Sequence, residues 1–251
     1  MNHVAKKQQG FTIIELMLAM TFVSFLLIGI AMTVIQIAAI YNKGTTLKEI
    51  NQVSRELNDD LRRNIGVVGN LDVTTDYVLS PATATPSSAV GGRLCLGSYS
   101  YIWNYAKALG TSAVGVTKYQ DDGSTSDVNE SNKPLRLIKV ADSSKVYCAI
   151  NAAGSLSVQS VLVADQAKAF ELLKSGDHDL GIHQFVLNVP PASAKDDATG
   201  QQLYSISYII GTSKTSAMNS DQTACLAPDV PNSDSLYCNI QQFGLVVRAG
   251  K

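Results

Sequence analysis

The feature that most constrains this chain is an apolar run from Phe11 to Tyr41 that carries a single charged side chain, Glu15. From Leu16 to Ile35, twenty consecutive residues are interrupted only by Thr21, Ser24 and Thr33. A helix of that length rises about 30 Å, the thickness of a bilayer's hydrocarbon core. The run exceeds an ordinary secretory signal, and its small residue, Gly10, precedes the apolar segment, whereas a signal-peptide cleavage site follows it. A plain anchor, held with its N-terminus in the cytoplasm by Lys6 and Lys7, accounts for the length. It leaves Glu15 unexplained.

A carboxylate at hydrocarbon depth costs about 3 kcal/mol on insertion scales, so a partner is expected. One reading places Glu15 at the membrane edge, among headgroups and near the positive end of the helix dipole. In the other, cleavage between Gly10 and Phe11 creates an amine one helical turn from Glu15. In an assembly of parallel, axially offset helices, the carboxylate of one subunit could then meet the amine of another. Periodicity does not choose between the two.

The segment Gly10-Phe11-Thr12-Ile13-Ile14-Glu15-Leu16, preceded by Lys6 and Lys7, resembles the class III signal and N-terminal helix of type IV pilins and the related secretion pseudopilins. The close match covers residues 6–40. The resemblance implies that Gly10 ends a leader removed by a prepilin peptidase, that Phe11 becomes the N-methylated first residue, and that Glu15 is the assembly glutamate. It also implies partners: other pilin subunits, an inner-membrane assembly platform, and the membrane itself before assembly. The body would be periplasmic before assembly and extracellular in the pilus. Many major pilins carry a proline partway along this helix; this chain has none there, and Gly29 occupies the same neighbourhood.

The expected organisation is a leader over 1–10, a membrane and filament-core helix over 11–42, its amphipathic continuation over 43–66, and a β-rich globular domain over 67–251. Leu47, Ile50, Val53, Leu57, Leu61 and Ile65 recur at helical spacing, with charges on the other faces. A continuous rod of about 80 Å follows, at 1.5 Å per residue, its second half packed on the globule and ended by Gly66 and Gly69.

The predicted class is α+β, a long helix laid on an antiparallel β-meander. Leu71 to Gly92, rich in Thr, Ala, Ser, Pro and Gly, reads as an irregular excursion. Tyr99, Tyr101, Trp103 and Tyr105 alternate, which puts four rings on one strand face. Such a face could stack on a ligand, but an aromatic stripe of this kind more often belongs to a core. Short strands are expected over Leu135–Val140 and Tyr147–Ile150, a stronger one over Ser155–Ala164, and a short helix capped by Asp165 running to Leu173. Three strands close the chain, over Ile182–Val189, Leu203–Gly211 and Leu236–Arg248.

Cys95, Cys148, Cys225 and Cys238 are an even set outside any C-x-x-C spacing and favour two disulfides. Pairing Cys225 with Cys238 and Cys95 with Cys148 is the natural choice, although spacing leaves the two other connectivities open. The Cys225–Cys238 segment resembles the disulfide-bounded surface loop of pilins.

A net charge of −1 over 251 residues gives no support to a polycationic nucleic-acid surface. Asp121 to Asp127 lacks the alternating ligands and terminal Glu of a calcium loop, and like Asp177-His178-Asp179 and Asp196-Asp197 it reads as solvated. His178 and His183 do not form an H-E-x-x-H pair, and Gly211-Thr-Ser-Lys lacks P-loop glycines. No catalytic residue, metal or cofactor is expected.

The size, the aromatic segment from Cys95 to Tyr105 and the cysteine usage resemble the PilW-type minor pilins, which prime assembly near the tip. Rival readings are a large pseudopilin of a type II secretion system, a tip adhesin or DNA-uptake subunit that meets a host surface or nucleic acid, and a membrane-tethered periplasmic enzyme.

Overall fold

The computed structural model describes residues 10–69, 71–121, 133–173, 179–188, 201–227, 229–231 and 238–249. The basic residues of the leader, the acidic stretch over 122–127, Asp177 and His178, the Pro190-Pro191 break and Asp196-Asp197 all lie outside them. The chain falls into two compact units, Met1–Asn42 and Lys43–Lys251.

Helix α1, Ile13–Val67, begins in the first unit and contributes residues 43–67 to the second. Its apolar first part contains a segment long and apolar enough to cross a membrane, none of it buried by the rest of the chain. The three polar interruptions are absorbed by the helix itself. Thr21 Oγ1 donates to the Leu18 carbonyl at 2.8 Å, Ser24 Oγ to that of Met20 at 2.8 Å, and Thr33 Oγ1 to that of Gly29 at 2.7 Å. Those hydroxyls therefore leave no unsatisfied donor on the apolar surface of the helix.

In the second unit α1 buries Thr46, Ile50, Ser54, Leu57, Leu61, Asn64 and Ile65. This stripe is turned slightly from the predicted one: Leu47 is exposed and Val53 half-buried. Polar residues replace them because each has a partner. Ser54 Oγ lies 3.0 Å from the Tyr208 hydroxyl, and Asn64 Nδ2 donates to the Tyr101 hydroxyl at 2.8 Å.

A five-stranded antiparallel sheet runs in chain order through β1 (Tyr77–Ser80), β2 (Gly91–Cys95), β3 (Tyr99–Asn104), β4 (Leu137–Ala141) and β5 (Phe170–Glu171). A three-stranded antiparallel sheet follows: β6 (Leu180–Asn188), β7 (Gln202–Thr212) and β8 (Ile240–Ala249). The α+β class and the three closing strands match expectation, with the meander divided into two sheets.

The first sheet is buried on both faces. Tyr101 and Trp103 enter the main core with α1 and the second sheet, while Ile102 and Cys95 enter a second cluster with Ile138, Val140 and Tyr147. The Trp103 ring centroid lies 4.4 Å from that of Phe185. Gly92 makes room for this indole, since a Cβ there would lie 2.5 Å from the ring, and Gly91 lets the β3 backbone approach, since a Cβ there would run into the Trp103 carbonyl oxygen.

Several local expectations are overturned. The stretch after Leu71 is not wholly irregular, since α2 (Val73–Asp76) and β1 lie within it. Val146–Cys148 is a 3₁₀ turn rather than a strand. Ser155–Ala164 supplies only single bridges, Leu156 to Ile150 and Val161 to Tyr119. The short helix α3 spans Val163–Gln166, so Asp165 sits inside it rather than capping it, and Phe170–Glu171 has left the helix for β5.

Arg93 is the physical reason for the irregular layer. Its side chain is fully buried, and its guanidinium donates to the Tyr147, Val158 and Gln159 carbonyls. Loop backbone that would otherwise seek a sheet ladder is satisfied by one side chain. Burial holds the guanidinium down at about 10, still charged at neutral pH.

Candidate functional site

The residues expected to carry processing and assembly lie together at the start of α1. Gly10 and Phe11 are exposed and precede the helix, which begins at Ile13. Thr12 N–H and Thr12 Oγ1 both donate to Glu15 Oε2 at 2.9 Å, and Glu15 N–H points back at Thr12 Oγ1, 3.3 Å away. This is a capping box: the first-turn carboxylate satisfies the backbone donor that opens the helix. The pattern Thr12-x-x-Glu15 is the sequence signal of this helix start, and neither the membrane-edge reading of Glu15 nor the offset-amine one makes use of Thr12.

The geometry fixes where the negative charge sits. Because Glu15 Oε2 binds the N–H of Thr12, the carboxylate lies one residue from the Phe11 nitrogen. A cut at the Gly10–Phe11 bond would turn that nitrogen into an ammonium next to a carboxylate already in place. The apolar side chains beyond it, from Phe11 to Tyr41, remain exposed. The segment is long and apolar enough to cross a membrane.

The four cysteines pair as Cys95–Cys148 and Cys225–Cys238. The first bridge lies in the second core cluster and ties the end of β2 to the 3₁₀ turn. The second closes a segment with a sequence separation of 13 and packs with Ala217 and Met218.

The aromatic face is mainly structural. Tyr101, Trp103 and Tyr105 are buried, and only Tyr99 reaches solvent. Tyr101 is the polar hinge of this face. Its hydroxyl donates to Asp60 Oδ2 at 2.6 Å, and Lys139 Nζ donates to Asp60 Oδ1 at 2.7 Å, so α1, β3 and β4 meet on one carboxylate. Burial, reinforced by Asp60, pushes the Tyr101 hydroxyl well above the ordinary phenol range. Tyr208 does similar work from β7: its hydroxyl donates to the Ser54 carbonyl at 3.1 Å, and burial pushes it up to about 12.

His183 sits where the β6–β7 register shifts, with Nε2 3.1 Å from the Thr212 carbonyl oxygen. Burial lowers its proton affinity. Among the described residues, no group of three or more His, Cys, Asp or Glu side chains is placed to hold a metal ion. No family model matches the chain, and no curated protein or solved structure does either.

Proposed function

We propose that this chain is a type IV pilin-like subunit, in its finer detail a minor pilin of the PilW type that takes part in priming filament assembly. It is cut between Gly10 and Phe11 by a prepilin peptidase, methylated at Phe11, and held in the inner membrane by the apolar part of α1 with its body in the periplasm. The assembly platform then moves it into a filament, where its apolar helix is buried by sister helices. The observation that carries this reading is the pairing of an unburied apolar span with a carboxylate held beside the Gly10–Phe11 bond.

The mechanism is an exchange of apolar surroundings. The span leaves lipid for other helices, with little net change in apolar burial. Glu15 is the element sensitive to register, since it is the only charge in the span and favours the axial offset that brings an amine to it. The capping box keeps the carboxylate satisfied while the subunit waits in the membrane.

The test is filament incorporation of Glu15→Ala and of a variant whose cut after Gly10 is blocked, each measured against its level in the membrane fraction. Both variants are expected to stay in the membrane and to be lost from sheared filaments. Incorporation at the normal level by either would refute the proposal.

A further inference from the structure

Beside α1 in the second unit lies a groove of about 560 Å³ that the proposed filament role does not use. Its apolar side is formed by Val53 of α1 and by Leu172 and Leu180. Phe170, 69% exposed, and Tyr99, 37% exposed, add unburied aromatic surface to it. Glu49 and Glu56 of α1 give it carboxylates. Lys139 is the only cation among the lining residues, and it is already engaged, 2.7 Å from Asp60 and 4.1 Å from the centroid of the Tyr99 ring. The groove is therefore apolar with an acidic margin, a setting for long cationic side chains whose methylene stems lie on the hydrocarbon while their heads reach the carboxylates.

The same helix carries such side chains on another flank. Lys48, Arg55 and Arg62 are exposed and recur every seven residues. Two helical turns separate each pair, about 10.5 Å, and the row drifts only about 20° per step. None of the three has a hydrogen bond or ion pair with another described residue. Glu49 and Glu56 repeat with the same seven-residue step, about 100° further round the helix. Arg63 is the next residue of that row and ends its acidic part, while Asp59 lies between the rows, four residues after Arg55.

The geometry points to a contact between copies of this chain in which the basic row Lys48, Arg55 and Arg62 of one copy seats in the acidic, apolar groove of the next. The occupant is a second copy because the chain itself carries two complementary charges at the same seven-residue step, Arg55 and Arg62 against Glu49 and Glu56. The two surfaces are different flanks of one helix, so the contact is head-to-tail and does not close on itself as a two-fold dimer does. It goes beyond the filament reading and does not depend on it, since it uses neither the apolar span nor the cut at Gly10.

The test uses the full chain in detergent, followed by analytical ultracentrifugation at low and high salt. Arg55→Glu/Arg62→Glu reverses the row, and Glu49→Lys/Glu56→Lys reverses the groove; these positions are exposed or half-buried, and far-UV circular dichroism verifies that each variant folds. The wild type is expected to self-associate and to disperse at high salt, and each double variant to associate at least tenfold more weakly. An equimolar mixture of the two should recover association with the variants alternating, because the basic row of one meets the acidic groove of the other and the reversed row meets the reversed groove. The chain with all four substitutions regains association, its charges again complementary. The inference is overturned by a wild type that stays monomeric, by association indifferent to either reversal, by a mixture that associates no better than either variant alone, or by failure of the fourfold variant to recover.

Discussion

Glu171→Gln should remove a pH-dependent loss of stability. The Glu171 carboxyl is half-buried on β5, where it accepts the Leu137 N–H at 2.7 Å and the Arg136 N–H at 3.4 Å. Burial outweighs those donors and the nearby Arg136 charge, and lifts the group from its ordinary 4.5 to about 7. At about 1.4 kcal/mol per pH unit, that is about 3.5 kcal/mol of preference for the neutral acid as an upper bound, and about 2 once residual solvent contact is allowed for. Across that interval the unfolded chain has released this proton while the folded chain keeps it. Stability therefore falls as pH rises from 4.5 to about 7 and levels off above.

Gln is neutral throughout and keeps an oxygen for the shorter bond from Leu137. Measured against wild type, the variant should be near parity or slightly weaker at the acid end and gain about 2 kcal/mol by the alkaline end. Taking the difference cancels the other carboxylates. The assay is denaturant unfolding of the full chain in detergent, read by fluorescence of the single tryptophan, Trp103, which is buried in the main core. A wild-type-minus-variant difference that stays constant from acid to alkaline pH would refute the assignment.

Two further perturbations probe the fold. Trp103→Ala should cost about 3–5 kcal/mol in the same unfolding assay, monitored by circular dichroism, because the indole is fully buried beside Phe185. Replacing Cys225 and Cys238 together by Ala should cost about 2–4 kcal/mol and raise proteolysis of the loop they bound, leaving circular dichroism of the sheets unchanged.

What the sequence made legible follows from the range over which each signal acts. The apolar span, the helical stripe to Ile65 and the alternating aromatics are local patterns many residues long, and each appears as an element of the fold. Tyr77–Ser80 was hidden because a four-residue strand is averaged away in a Ser, Thr, Ala and Pro background. Ser155–Ala164 reads as a strand, but Arg93 reaches across more than sixty residues to take the Val158 and Gln159 carbonyls that a ladder would have used. No pattern within Ser155–Ala164 could have disclosed that. The site divides the same way: Glu15 stood out as a lone charge and Thr12 completed a local motif, whereas the meeting of Asp60, Tyr101 and Lys139 exists only in the folded chain.

The central claim is that the chain is recut to place a cation beside a waiting acid, and the mass of the N-terminal peptide of the mature protein tests it most directly. The account predicts a peptide beginning at Phe11 and heavier than the bare sequence by one CH2, the net gain of a single N-methylation. A mature peptide that still contains Met1 to Gly10 would contradict it.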